Sequence, residues 1–69
     1  MMKKKYLIKD VELNEYYFSY QDDSKFIPGV KDAKHYDGHS EALSHVTDYK
    51  NNSIFKGRII EIVEYIIIE

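Results

Sequence analysis

The 69-residue chain contains no cysteine. That excludes a disulfide framework, a thiolate metal site and a cysteine nucleophile. Its three glycines, Gly29, Gly38 and Gly57, are isolated from one another, so no glycine-rich phosphate loop exists. There is one proline, Pro28, and it stands directly before Gly29 as a turn signal. Excess positive charge is also missing. Ten basic against twelve acidic residues give a net charge of −2, which provides no bulk attraction for nucleic acid. Tyr6-Leu7-Ile8 after the Lys3–Lys5 trio is too short for a signal-peptide core, and the expectation is a cytoplasmic protein. The longest apolar stretch, near the C-terminus, is too short and too interrupted by Glu61 and Glu64 to cross a bilayer. There are no repeats and no linker, so the chain reads as one domain near the lower size limit for a self-sufficient core.

Hydrophobic residues make up 43% and charged residues 32%, a globular composition. The strongest local signal runs from Arg58 to Glu69. Besides Arg58, Glu61, Glu64 and Glu69 it holds only isoleucine, valine and one tyrosine. Such a run predicts a long β-strand. Its apolar residues fall on both faces, so it needs cover from a helix on one side and from a second chain on the other. A bulge near Val63-Glu64 would reconcile the imperfect alternation. Alternatively, its terminal half projects and pairs with another copy.

Two earlier strands are expected at Lys5–Lys9 and Glu15–Tyr20, joined as an antiparallel hairpin. Gln21 to Ser24 reads as a turn, and Phe26-Ile27 as an apolar pair docked under the sheet edge. Lys34-His35-Tyr36 is a short extended piece. Ala42, Leu43, Val46 and Tyr49 mark one face of a helix, with Asp37 or Gly38 as N-cap and Asn51-Asn52 as its end. Glu41 suits the positive end of the helix dipole and Lys50 the negative end. The order β-β-(β)-α-β predicts an α+β fold: a two-layer domain, mostly antiparallel sheet with one helix packed on it. The expected core is Ile8, Phe18, Ala42, Leu43, Val46, Ile60, Ile62 and one face of Tyr6 and Tyr16.

The segment Asp32-Ala33-Lys34-His35-Tyr36-Asp37-Gly38-His39-Ser40-Glu41-Ala42-Leu43, followed by a helix and a strand such as Ile60–Glu64, resembles a pattern in small uncharacterised phage and prophage-type proteins of low-GC Gram-positive bacteria. It covers about half the chain and carries no catalytic motif. The resemblance implies a small accessory protein that binds and interferes with a host protein.

Candidate chemistry is sparse. His35, His39 and His45, with Asp37 and Asp48, have poor spacing for convergence on one metal ion, and no metal or cofactor is expected. Ser40 and Ser44 lie near His39, His45 and Glu41, but a small two-layer domain has little room for a cleft, so no enzyme is expected. Asp10, Glu12, Glu15, Asp22 and Asp23 read as a solvated hairpin rim, with a nucleic-acid-mimicking acidic face as the alternative. Tyr16, Tyr17, Phe18 and Tyr20 could stack bases of a single strand, but the acidic neighbours oppose phosphate. Tyrosine suits protein interfaces better. The expected function is therefore protein binding, as a homodimer with a host-protein target, through Tyr17, Tyr20, Tyr65, Ile66 and Ile68. A purely self-assembling structural protein is the remaining alternative.

Overall fold

The computed structural model describes residues 1–48 and 54–68. The expectations for Tyr49, Lys50, Asn51, Asn52 and Glu69 lie outside the described residues. Element order is β1 (Met2–Asp10), β2 (Glu15–Tyr20), β3 (Asp23–Ile27), α1 (His39–Asp48) and β4 (Ile60–Ile68). The strands form one antiparallel sheet in the order β3-β2-β1-β4, with α1 packed against β1 and β4. The two-layer α+β architecture is the one the periodicity predicts. Among the described residues, no helix is long and apolar enough to cross a membrane.

Three local devices build the sheet. Asp10 closes β1 by accepting hydrogen bonds on Oδ1 from the backbone N–H groups of Glu12 and Leu13, both at 3.1 Å. This side chain-to-backbone turn commits the chain to a hairpin. Asn14 ends that turn at φ 57°, a left-handed value that asparagine tolerates well. Gln21, at φ 54°, then supplies the twist of a two-residue β2–β3 hairpin closed by the Tyr20–Asp23 pair. Residues 23–27 are thus a third strand and not a turn followed by a docked apolar pair.

β1 and β2 share only the pairs Lys9–Tyr16 and Asp10–Glu15 before they diverge. The extended piece Lys34–Tyr36 fills the gap. Lys34 N–H donates to Tyr17 C=O, and Tyr6 and Tyr36 exchange both backbone bonds, each at 2.8 Å. Backbone groups that divergence would leave unpaired are thereby satisfied.

Pairing register decides which aromatic residues enter the core. Because Asp10 faces Glu15, Tyr17 lies on the same face as Ile8, and Tyr16, Phe18 and Tyr20 lie on the other. The core is Ile8, Tyr17, Tyr36, Ala42 and Phe55, flanked by Tyr6, Phe26, Val46, Ile54, Ile60 and Ile62. Phe18 and Tyr16 are therefore not core residues. Leu43 is not one either, at 47% exposure. The helix meets the sheet along Ala42, His45 and Val46, a narrower stripe than the apolar spacing implies, and Leu43 sits outside it. Gly38 is the N-cap, its carbonyl accepting from Ala42 N–H at 3.3 Å.

β4 has no bulge at Val63-Glu64. Its pairing with β1 runs unbroken from Asp10–Ile60 to Met2–Ile68. The terminal half does not leave the domain alone, because residues 2–5 of β1 accompany it as a two-stranded arm.

Candidate functional site

Beyond Tyr6, β1 has no neighbour but β4 among the described residues. Met2–Lys5 and Tyr65–Ile68 thus form the arm. One of its strands carries three consecutive lysines and the other three consecutive isoleucines. Strand alternation puts Met2, Lys4, Glu64, Ile66 and Ile68 on the face shared with Ile8 and Ile62. Lys3, Lys5, Tyr65 and Ile67 take the opposite face. Lys4 Nζ lies 3.6 Å from Glu64 Oε1, and Lys5 pairs with Asp37. Ile66 is 51% and Ile68 80% exposed, and Met2 is exposed beside Ile68. Three large apolar side chains on one face of a ribbon form an exposed patch of the kind that marks interaction sites.

β4 also stands at the margin of the sheet, and among the described residues no strand pairs with its outer side. The direction of its backbone groups follows from two observations. Val11 N–H donates to Ile59 C=O at 3.0 Å, so odd-numbered β4 residues bond toward β1. On the far side of β1, even-numbered Tyr6 bonds away from β4 to Tyr36, which leaves the odd-numbered β1 residues to bond toward β4. The N–H and C=O groups of Ile60, Ile62, Glu64, Ile66 and Ile68 therefore point away from the sheet. An exposed edge of this length is a template for pairing with another strand.

The expected contact residues divide. Tyr65, Ile66 and Ile68 come together on the arm. Tyr65 is half-buried, its ring 5.4 Å from that of His35. Tyr20 is exposed on β2, two strands from β4. Tyr17 is 4% exposed and offers no contact surface. Its ring sits 5.0 Å from Phe55, 5.4 Å from His45 and 5.9 Å from Phe26, and its hydroxyl donates to Ser24 Oγ at 3.3 Å. The expectation for Tyr17 fails because one residue of register decides which face of β2 is covered.

The three histidines have separate surroundings. His35 Nε2 lies 3.1 Å from Val30 C=O, and His39 stands edge-on to Tyr6. His45 Nδ1 lies 2.8 Å from the Tyr36 hydroxyl. Among the described residues, no group of three histidine, aspartate or glutamate side chains is placed to hold a metal ion. Burial lowers the His45 pKa, and Lys34 adds to the shift, while Asp48 opposes it. Burial raises the Tyr36 pKa. The pair is a neutral hydrogen bond at the helix–sheet seam.

The acidic rim also needs correction at Asp10, which is 2% exposed. Its Oδ2 accepts from Arg58 Nη1 at 2.8 Å, and Arg58 Nε donates to Ile54 C=O at 2.7 Å. The guanidinium stacks 4.1 Å above the Phe26 ring. Asp10 is thus a neutralised anchor between the β1–β2 turn and the start of β4. Glu12, Asp22 and Asp23 remain exposed.

On the face opposite α1, Lys9 lies over the Tyr16 ring at 5.6 Å and Lys25 over Phe18 at 5.4 Å. No protein-family model, curated protein or solved structure matches this chain.

Proposed function

We propose that this chain is a non-enzymatic protein-binding module that self-associates and binds a host protein, in the manner of a phage or mobile-element accessory protein. The observation that carries the reading is the β4 arm: an open strand edge with Met2, Ile66 and Ile68 exposed beside it. Edge pairing supplies main-chain hydrogen bonds, and alternate side chains supply specificity. Each isoleucine buried in a contact contributes about 1.5–3 kcal/mol. A small domain without disulfides gains stability from such association. The module acts in the cytoplasm and needs no cofactor in this reading.

The test is an affinity capture from a low-GC Gram-positive lysate, with the wild-type chain and Ile66→Lys/Ile68→Lys as baits. A stoichiometric protein retained by the wild type and lost by the double variant supports the reading. Equal retention by both baits removes the arm from it.

A second reading is single-strand nucleic-acid binding on the opposite face. It is favoured by the row Tyr16, Phe18, Tyr20 with Lys9 and Lys25 over two of the rings. Oligonucleotide titration at rising salt tests it, because phosphate contacts require affinity to fall steeply. Flat or absent binding ends it.

A further inference from the structure

We infer that two copies of this chain join their sheets through antiparallel pairing of β4 with β4, with Val63 facing Val63 of the second copy on the twofold axis. This rests on the self-association reading and names its partner strand and register.

Five residues, Ile60, Ile62, Glu64, Ile66 and Ile68, direct backbone donors and acceptors outward on every second position. That spacing matches itself when the strand is rotated by a half turn about an axis perpendicular to the sheet. Such a rotation keeps each face on its own side, so opposed residues must come from the same face. The axis must then pass through a residue position, and the candidates near the strand centre are Val63, Glu64 and Tyr65.

Side chains separate these three. An axis at Glu64 overlaps the whole strand but opposes Glu64 to Glu64, and like charges directly opposite are destabilising. An axis at Tyr65 opposes exposed Ile66 to the Glu64 carboxylate and gives it no apolar residue directly opposite. An axis at Val63 opposes Ile66 to Ile60 and Ile67 to Ile59, and sets Glu61 against the tyrosine at position 65. Glu64 then faces Ile62 and keeps its Lys4 contact within its own chain. No carboxylate meets a carboxylate. The same register lays each arm along the base of the other copy's β4, so the exposed Ile66 gains cover from an isoleucine.

Parity makes this testable. Val63 bonds toward β1, so the two Val63 residues would form a non-hydrogen-bonded pair with Cα atoms about 4.5 Å apart. That lies within the span a disulfide bridges, about 4.4–6.8 Å. The chain has no cysteine of its own, so single-cysteine variants report one position each.

The experiment measures native mass of the wild type, then disulfide formation in Val63→Cys and Tyr65→Cys under mild oxidation. The expected result is a dimeric wild type, rapid crosslinking of Val63→Cys and none of Tyr65→Cys. Crosslinking of Tyr65→Cys in place of Val63→Cys overturns the register while self-association stands. A dimer in which neither variant crosslinks overturns the Val63 register while self-association stands. A monomer at all concentrations overturns both. Ile66→Pro guards against misfolding as an explanation. It removes an outward N–H and no bond to β1, so a folded, monomeric Ile66→Pro supports the inference and a folded dimer opposes it.

Discussion

Asp10 shows how much one residue can organise in a chain this small. It terminates β1, nucleates the turn to β2 and holds Arg58 at the approach to β4. The Leu13 N–H bond is the main reason its carboxyl titrates below the ordinary 3.8, and Arg58 adds to it. A lowered folded-state pKa stabilises the native state above pH 3.8, and that contribution is lost as pH falls through the folded value. Asp10→Ala removes it and strands two backbone N–H groups and a guanidinium. Its melting temperature should fall well below wild type, whereas Asp23→Ala at the exposed rim should leave it nearly unchanged. Thermal melts of the two variants at pH 7 check this.

His45 acts at the same scale as a partly buried, neutral imidazole. Its folded-state pKa lies below 6.5, first because it is partly buried and second because Lys34 is near. The unfolded chain therefore binds the proton more readily, and stability falls as pH drops below about 6.5 toward the folded value. Denaturant midpoints between pH 7.5 and 5 should decline in the wild type. The decline should flatten in His45→Gln, which keeps a polar partner for the Tyr36 hydroxyl.

At the scale of elements, the helix–sheet seam carries the stability. Phe55 is buried against Tyr17, Phe26 and His45, so Phe55→Ala should cost about 3–5 kcal/mol. Leu43 lies on the same helix as Ala42 but outside the seam, and Leu43→Ala should stay within about 0.5 kcal/mol of wild type. Urea unfolding of both variants separates a seam centred on His45 from one centred on Leu43. The elements themselves follow from local pattern: β2 at Glu15–Tyr20, the helix beginning after Gly38, and the long final strand are legible from periodicity and β-branching. β3 is not, because Asp23 and Ser24 read as turn residues. Only the Tyr20–Asp23 closure shows that the turn is two residues long.

At the scale of the whole molecule, β4 is long because β1 is long, and the two run past the part of the sheet that α1 covers. A two-stranded ribbon is marginal in water, so the arm calls for further contacts. Ile66→Lys/Ile68→Lys changes residues that face solvent in the single chain. Its monomer should melt close to the wild-type monomer, while its dissociation midpoint moves to higher protein concentration. Sedimentation across a concentration series distinguishes that from a loss of fold. Unchanged association would place the interface away from the arm.

Composition and periodicity by themselves determined the α+β class, the helix and the apolar final strand, because these follow from side-chain spacing within a single element. The tertiary structure alone decided that Tyr17 and not Phe18 enters the core, because a one-residue step in the Asp10–Glu15 register inverts every side chain of β2. It decided that Asp10 is an anchor and not part of an acidic face, because its partner Arg58 lies far along the chain. It also decided that β4 presents its even-numbered backbone groups outward, since that parity depends on which strand β1 pairs with on each side.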